Sequence, residues 1–287
     1  MKPFNRVYCI SLTRCRERRA HMVAEFARAG VEGWQFIDAV DKNSTAATEL
    51  FDSDFVLKYP PCFRCGKAAC DCSNKALLPV QIANWLSHMD AWRRVQDGPA
   101  GLSLVCEDDI RFQAHLGACL ELIGNSRQIR GHVQAREPLL IRLGWSAWVP
   151  AEAEAEGVSP SLTTEIRMAN ACYAINEAMA ALLLGSLRKI DTTSDIYLHD
   201  RLAADVAHYT VMPPAALELS WTTGELLSEI RPKAKHVEYL RGQLCALAPG
   251  SQEYQATRER MERELARIRH FEELDAHPER QGEPADN

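Results

Sequence analysis

Long apolar runs, dense cysteine and an excess of positive charge are all missing from this sequence of 287 residues. No apolar run approaches the ~20 residues that a membrane-spanning helix needs, and the opening MKPFNRVYCISL is too interrupted for a secretory signal. The net charge of −6 argues against a broad basic surface for nucleic acid. Ten cysteines are too few for a disulfide scaffold in a chain of this length. We therefore expect a protein of the reducing cytoplasm, free or peripheral at the inner membrane, with no nucleic-acid partner.

Predicted strands alternate with predicted helices along most of the chain. The strand candidates are residues 6–12, 34–40, 102–106, 138–144 and 171–175. The helix candidates are residues 15–30, 79–96, 176–190 and 195–205. This alternation predicts an α/β fold with a mostly parallel sheet flanked by helices, and 46% apolar residues are enough for a sizeable core.

Two regions break the alternation and set the expected domain boundaries. Residues 52–78 have no clear period and are predicted to be a cysteine-rich insert, whereas 233–275 are predicted to form a helical hairpin. The narrow apolar stripe of the hairpin suits either packing on the core or formation of a homodimer, and the sequence leaves both open. We expect one sheet domain over 1–232, the hairpin, and a disordered tail over 276–287.

The run LSLVCEDDIRF, residues 102–112, takes an apolar strand directly into three adjacent carboxylates. In open α/β sheets, ligands bind beyond the carboxyl ends of the strands, which is where Glu107, Asp108 and Asp109 are expected to lie. Oxygen ligands suit Mg²⁺ or Mn²⁺, and such a cation would relieve the repulsion between the acids. The run also fits a solvated strand end or an acidic cap of the following turn, so the spacing alone leaves a metal site open.

Several motifs, taken in order, resemble glycosyltransferase family 25, the bacterial lipopolysaccharide and lipooligosaccharide glycosyltransferases. The resemblance rests on VYCISLTRCRERRAHM at 7–22, FIDAVD at 36–41, LSHMDAW at 86–92 and LVCEDDI at 104–110. Weaker similarities are IRLG at 141–144, ACYAIN at 171–176 and SDIYLHD at 194–200. The order and spacing of the motifs, more than any one of them, carry the resemblance.

The resemblance implies a GT-A-like domain that inverts the anomeric centre of a nucleotide sugar, often UDP-galactose, on transfer to a glycan or glycolipid hydroxyl. A Mn²⁺ or Mg²⁺ ion on Glu107 and Asp109, with His199 as a further ligand, would neutralise the leaving diphosphate. Arg14 and Arg18 are candidates for phosphate contacts, although a solvated helix face also explains them. The donor-binding candidates are Ser11, Leu12, Arg14, Arg18, Asp41, Ser87 and Asp108.

Inversion requires a base that takes the proton of the acceptor hydroxyl, and TTSDIYLHDRL supplies the candidates. Asp195 and Asp200 are the carboxylates, and on a helix His199 would share a face with Asp195. Acids at a helix start also serve as simple caps. His88, in the apolar helix 79–96, is a further catalytic candidate that could donate to the leaving group, or else a hydrogen-bonded structural residue.

The insert contains CFRCGKAACDC, a cluster with the spacing C-x2-C-x4-C-x-C. Four thiols so close together in a cytoplasmic chain predict a closed, structural Zn²⁺ site on Cys62, Cys65, Cys70 and Cys72. Free thiols or an iron–sulfur cluster are the alternatives.

Two further function classes stay open on the sequence. One is a catalytically inactive, zinc-stapled binding or scaffold protein on the same fold. The other is a metal-dependent phosphoryl-transfer enzyme that uses the same carboxylates. Turnover of a nucleotide sugar separates a glycosyltransferase from both.

Overall fold

A computed structural model describes residues 3–62, 67, 76–145, 159–201 and 206–276. The strands are β1 (Phe4–Ser11), β2 (Trp34–Asp38), β3 (Leu102–Glu107), β4 (Ile110–Phe112), β5 (Leu139–Gly144), β6 (Ser161–Thr163), β7 (Cys172–Ile175), β8 (Ala207–Met212) and β9 (Ala216–Glu218). The helices are α1 (Arg16–Arg28), α2 (Thr45–Asp52), α3 (Pro79–Gln96), α4 (Leu116–Asn125), α5 (Arg127–Ala135), α6 (Glu177–Ser186), α7 (Ser194–Ile196), α8 (Leu219–Thr222), α9 (Ala234–Ala246) and α10 (Gln252–Ala276).

The strands form one sheet in the order β2-β1-β3-β7-β5-β8-β6, with β9 paired to both β4 and β5. The pairs β1–β2, β1–β3, β5–β8 and β5–β9 are parallel, whereas β7 lies antiparallel between β3 and β5. In the register of β1 and β3, Ile10 pairs with Glu107, so the carboxyl ends of these two strands lie side by side. The mixed α/β architecture expected from the sequence is confirmed, and its helix-flanked sheet fits a Rossmann- or GT-A-like fold.

The core lies on both faces of the sheet, which explains why β3 is apolar throughout. Leu104 and Cys106 point to the face covered by α1 and α4, whereas Val105 points to the face covered by α3 and α6. The indoles of Trp85 and Trp92 on α3 are fully buried on that second face. Helix α3 therefore carries the Ser-His pair of the LSHMDAW motif against the strand that ends in the carboxylates.

The described part of the helix predicted over 195–205 is only partly α-helical. Helix α7 covers Ser194–Ile196 and runs into a π-helical turn at Tyr197–Arg201, which closes i→i+5 hydrogen bonds. Within it Asp195 is half-buried, whereas His199 is fully buried.

Two of the helices after β9, α9 and α10, contact each other. The short helix α8 contacts both β9 and α9 and so joins this pair to the sheet. Val237 and Leu240 are the buried apolar residues of α9. The predicted tail lies outside the described residues apart from Ala276. No helix in the described part of the chain has the length and apolarity needed to cross a bilayer.

Candidate functional site

A first cavity of about 110 Å³ opens at the carboxyl ends of β1 and β3. The residues that line it and carry the argument below are Ser11, Leu12, Arg14, Arg18, Asn84, Ser87, Glu107, Asp108, Asp109, Glu218 and Glu229. The structure thus brings the acidic strand end together with six of the seven donor-binding candidates. The seventh, Asp41, lies beside the cavity as a partner of Arg14.

Arg18 is the cation that holds the acidic strand end together. Its Nη2 lies 3.1 Å from Oδ1 of Asp108 and 2.8 Å from Oδ2 of Asp109. Burial alone would lower the pKa of Arg18, but the charges of Asp109 and Asp108 outweigh it and raise the pKa above its ordinary value. Two of the three carboxylates are therefore already compensated, unlike the three unpaired acids that the sequence suggested.

Asp108 and Asp109 differ in how fully their oxygens are used. Ser11 donates to Oδ2 of Asp108 at 2.6 Å, so both oxygens of Asp108 have partners. Burial raises the pKa of Asp108 to about 6, and the charge of Arg18 opposes the rise. Burial also raises the pKa of Asp109, and the charge of Arg18 opposes the rise. Asp109 lines the cavity, and its Oδ1 is a buried oxygen for which no hydrogen bond is found among the described residues.

Glu107 is held from below by a chain of buried groups. Trp92 Nε1 donates to the phenol oxygen of Tyr173 at 2.9 Å, and that oxygen lies 2.9 Å from Nδ1 of His88. Nε2 of His88 lies 3.2 Å from Oε1 of Glu107. His88 therefore bridges the phenol of Tyr173 and the carboxylate of Glu107 through its two ring nitrogens.

His88 is fully buried and does not reach the cavity, so it acts on the site through Glu107. Burial alone would raise the pKa of Glu107, but the interactions with His88, Asn84 and Arg18 together outweigh it, and the pKa falls below its ordinary value. Ser87 is likewise structural in its bonding, because its Oγ accepts from Val40 N at 2.9 Å and donates to Ala83 O at 2.7 Å.

Arg14 projects over the first cavity from the loop after β1. Its Nε donates to Oδ2 of Asp41 at 2.8 Å, and its Nη2 donates to Oε2 of Glu229 at 2.9 Å. The hydrogen bond that Arg14 donates to Asp41 raises the pKa of Arg14 above its ordinary value. Arg14 therefore ties the β1 end of the cavity to the segment after α8, which contributes Glu229.

A second cavity of about 310 Å³ adjoins the first. The two share Asn84, Glu107, Glu218, Ser228 and Ile230. Residues found only in the second include Gln81, Met168, Asn170, Asp195, Trp221, Arg231 and Lys233. A molecule in one cavity can therefore contact a molecule in the other across Glu107.

Asn84 links the two cavities by hydrogen bonds. Its Nδ2 donates to Oε1 of Glu107 at 3.1 Å, and its Oδ1 accepts from Oγ of Ser194 at 2.6 Å. Nδ2 of Asn170 donates to the same Ser194 oxygen at 2.9 Å. Ser194 immediately precedes Asp195, so this chain fixes the backbone that carries Asp195 relative to Glu107.

Of the three candidates in the SDIYLHD stretch, only Asp195 lines a cavity. Asp200 is exposed and lines neither cavity. His199 is fully buried, and its Nδ1 accepts from Arg142 Nε at 3.1 Å. Burial, with the nearby charge of Arg142, holds the pKa of His199 well below its ordinary value. The structure therefore does not bring His199 to Glu107 and Asp109 as a ligand.

Among the described residues, no group of three or more His, Cys, Asp or Glu side chains is arranged as a ready metal cage. Three of the four predicted zinc ligands, Cys65, Cys70 and Cys72, lie outside the described residues. The fourth, Cys62, is buried, and its backbone N–H donates to Lys67 O at 3.0 Å. The zinc site stays a prediction.

Sequence reasoning missed several residues of the site. Tyr173 stands in an apolar strand and looked like ordinary core, and Asn84 looked like a polar position on α3. Glu229, Trp221 and Lys233 follow β9 in a stretch without strand or helix periodicity, so no pattern pointed to them.

The family comparison covers the part of the chain that carries most of this site. No curated protein matches the chain. Residues 4–198 match the family described as glycosyltransferase family 25 (LPS biosynthesis protein), a range that covers β1, the acidic end of β3 and Asp195. The chain therefore belongs to glycosyltransferase family 25, the glycosyltransferases of lipopolysaccharide biosynthesis.

Proposed function

We propose that the chain is an inverting, metal-dependent hexosyltransferase that moves a sugar from a UDP-sugar, UDP-galactose being the first choice, to a hydroxyl of a bacterial surface glycan. The observation that carries this proposal is the pair of adjoining cavities. The acidic strand end lies in one, Asp195 lies in the other, and Glu107 belongs to both. Two adjoining spaces suit a reaction in which a donor and an acceptor must meet.

The residues of the first cavity fit a divalent cation. Its described lining carries the three cations Arg14, Arg18 and Lys42 against the five carboxylates Glu107, Asp108, Asp109, Glu218 and Glu229. A diphosphate entering this lining would meet a net negative surface unless another positive charge came with it. The carboxylates of Asp109 and Glu107, which both line this cavity, are the proposed ligands for such an ion. Mg²⁺ in particular is usually held by one or two carboxylates plus substrate phosphates, so no preformed cage is required.

Each group has a distinct part in the proposed transfer. A bound Mg²⁺ or Mn²⁺ supplies charge neutralisation at the leaving diphosphate. Arg14 and Arg18 add charge-assisted hydrogen bonds to phosphate oxygens. Asp195 takes the acceptor hydroxyl's proton while that oxygen bonds to the anomeric carbon, and the diphosphate leaves with the electrons of the broken C–O bond. His88 and Asn84 hold Glu107 in place.

A panel of nucleotide sugars, offered with and without Mn²⁺ and with a glycan extract as acceptor, tests the proposal. We expect one UDP-sugar to be consumed only with Mn²⁺, and Asp109→Asn to abolish the effect of Mn²⁺ on UDP binding. If Mn²⁺ strengthened UDP binding by the same factor in Asp109→Asn as in the unaltered chain, Asp109 would not be a metal ligand. An inactive scaffold would consume no donor, and a phosphoryl-transfer enzyme would hydrolyse phosphodiesters without an acceptor.

Two further parts of the proposal concern regions beside the site. A structural Zn²⁺ on the cysteine cluster predicts about one zinc per chain by elemental analysis. Pairing of two chains through α9 and α10 predicts a dimer mass by light scattering. A zinc-free protein with freely reactive thiols, or a monomer mass, would remove the respective part.

A further inference from the structure

One wall of the second cavity comes from residues 218–233, which lie beyond the range matched to the family. This wall contributes Trp221, Arg231 and Lys233, whereas the opposite segments contribute Asn170 and Asp195. The matched region therefore supplies most of the first cavity and the candidate base, and the chain after it completes both cavities. Properties of this wall belong to the individual chain and bear on the molecule that enters there.

Trp221 has the exposure expected of a contact surface and not of a core residue. Its side chain is 44% exposed, although most large apolar residues of the described chain are buried. The ammonium of Lys233 lies 4.7 Å from the centre of the indole ring. An indole face covers the apolar face of a sugar ring well, and an exposed aromatic inside a concave site commonly serves as such a platform.

The wall is anchored at both ends and so holds Trp221 in a defined place. Leu219, the first residue of α8, donates its N–H to the carbonyl of Asp109 at 2.7 Å, which ties α8 to the acidic strand end. Nδ1 of His236 lies 2.5 Å from the carbonyl of Gly224, which ties the end of α8 to α9. The guanidinium of Arg231 lies 5.3 Å from the centre of the Phe271 ring on α10. The paired C-terminal helices therefore support the wall of the second cavity.

Charge divides the second cavity into two sides. Arg231 and Lys233 bring positive charge on the wall, Asp195 brings negative charge on the opposite segment, and Glu107 and Glu218 lie where the two cavities join. A neutral sugar would use the indole alone, whereas an acidic sugar would also meet the charges of Arg231 and Lys233. An acidic group on the sugar would pair with them and would turn the ring so that a hydroxyl faces Asp195.

We propose that Trp221, Arg231 and Lys233 form a subsite for an anionic acceptor sugar, one that carries a carboxylate or a phosphate. The ring packs on the indole, and the acidic group binds to Lys233 and Arg231 by charge-assisted hydrogen bonds. This inference rests on the proposed function, because it assigns the acceptor of the same transfer. It adds that the acceptor is recognised by its charge, and that the residues that recognise it lie outside the range matched to the family.

Saturation-transfer NMR with three small probes tests the subsite without turnover. The probes are a methyl hexoside, the matching methyl hexuronide and the matching hexose 6-phosphate, each added to the full chain, with UDP as a separate donor probe. We expect the hexuronide or the phosphate to bind at least tenfold more tightly than the neutral hexoside, and the stronger of the two identifies the source of the charge. Lys233→Gln should remove this preference, and Trp221→Ala should weaken all three sugars, with UDP binding unchanged in both.

Lys235→Gln is the matched control, because Lys235 lies two positions away and does not line the cavity. It should keep the preference for the charged sugars. Equal binding of the three sugars, or no signal from any of them while UDP gives one, would overturn the subsite and leave the proposed function standing. No binding of UDP would overturn the proposed function instead, since the sugar probes are read independently. A preference that survives Lys233→Gln would also overturn the subsite.

Discussion

Nδ1 of His88 lies 2.9 Å from the phenol oxygen of Tyr173, and both side chains are fully buried beneath Glu107. Trp92 donates to the same phenol oxygen, so Trp92, Tyr173, His88 and Glu107 form one hydrogen-bonded chain. The two ring nitrogens of His88 bridge the phenol and the carboxylate. His88, which does not reach the cavity, thus helps to set the orientation of Glu107, which lines it.

Replacing Tyr173 by Phe should impair the site through His88. The variant leaves Trp92 Nε1 and His88 Nδ1 without their partner, which should cost about 1–3 kcal/mol of unfolding free energy. His88 then loses the partner that holds its ring, and Glu107 is held less firmly, so Mn²⁺-dependent UDP binding should weaken several-fold. Urea unfolding and calorimetric titration of UDP measure the two effects.

Tyr197→Phe is the matched control for this prediction. Tyr197 is also buried, and its phenol donates to the carbonyl of Leu183 at 2.8 Å and takes no part in the hydrogen bonds that lead to Glu107. It should lower stability to a similar degree and leave UDP binding unchanged. Equal effects of the two substitutions on UDP binding would show that Tyr173 supports only the fold.

Asp195→Asn should slow the transfer far more than it weakens binding. A base acts on the proton that moves in the transition state, so its loss should lower kcat by about 10²–10⁴-fold. The affinity for UDP should hold, because Asp195 lines only the second cavity. Steady-state kinetics and UDP titration on the same variant check both halves.

Asp200→Asn supplies the comparison, since Asp200 is exposed and lies in the same stretch of sequence. Its kcat should match that of the unaltered chain. If Asp200→Asn were slow and Asp195→Asn normal, the two carboxylates would have to exchange roles.

Asp108 should make the stability of the ligand-free protein depend on pH. Its pKa is about 6 in the folded chain against an ordinary 3.8, so the folded state binds more protons between these values and loses stability as the pH rises through them. Asp109 shifts in the same direction. His199, whose pKa is lowered, contributes the opposite slope, so the effect of Asp108 must be read as a difference between two chains.

Asp108→Asn provides that difference, because the variant cannot ionise at this position. The stability of the unaltered chain relative to the variant should fall from about pH 4 to about pH 6 and then stay level. Urea unfolding of both chains across this range measures it. A relative stability that rises with pH over this interval would contradict the raised pKa.

The sequence predicts those parts of the site where a regular pattern of apolar residues is interrupted by polar residues. The apolar run of β3 that ends in Glu107 and the helical spacing of apolar residues in α3 are both local patterns in the sequence. They arise because each element must bury apolar side chains in the sheet domain. Arg18 could be suspected but not singled out, because it stands among other arginines whose solvated positions look the same in sequence. The π-helical turn after α7 escaped prediction since nothing in YLHDR distinguishes it from an ordinary helix.

The wall formed by the residues after β9 is a part of the site that the sequence does not predict. Trp221 and Lys233 meet because α8, a single turn, and the start of α9 are held together by a close backbone approach at Gly224. Such an approach joins residues through space and leaves no periodic trace in the chain. In the sequence this close approach is marked only by a glycine, and a glycine can equally mark an ordinary turn.

Gly224→Ala should therefore be strongly destabilising. Gly224 has φ +76°, where an L side chain is strained, and an added Cβ would lie 2.7 Å from the His236 nitrogen and closer still to the Lys235 carbonyl. These neighbours are backbone atoms that cannot rotate away, so α9 must move. The movement should separate Lys233 from Trp221 and remove any preference of the second cavity for charged sugars.

Gly250→Ala separates the clash from the backbone strain. Gly250 has φ +86°, but an added Cβ there would meet nothing within 4 Å. Its cost should be the left-handed strain alone, about 1–2 kcal/mol of unfolding free energy. Gly224→Ala should exceed that value by about 1–3 kcal/mol, the range for forcing extra atoms into a packed site. Urea unfolding compares the two directly, and equal losses would mean that the approach of α9 to Gly224 is not tight enough to fix the wall.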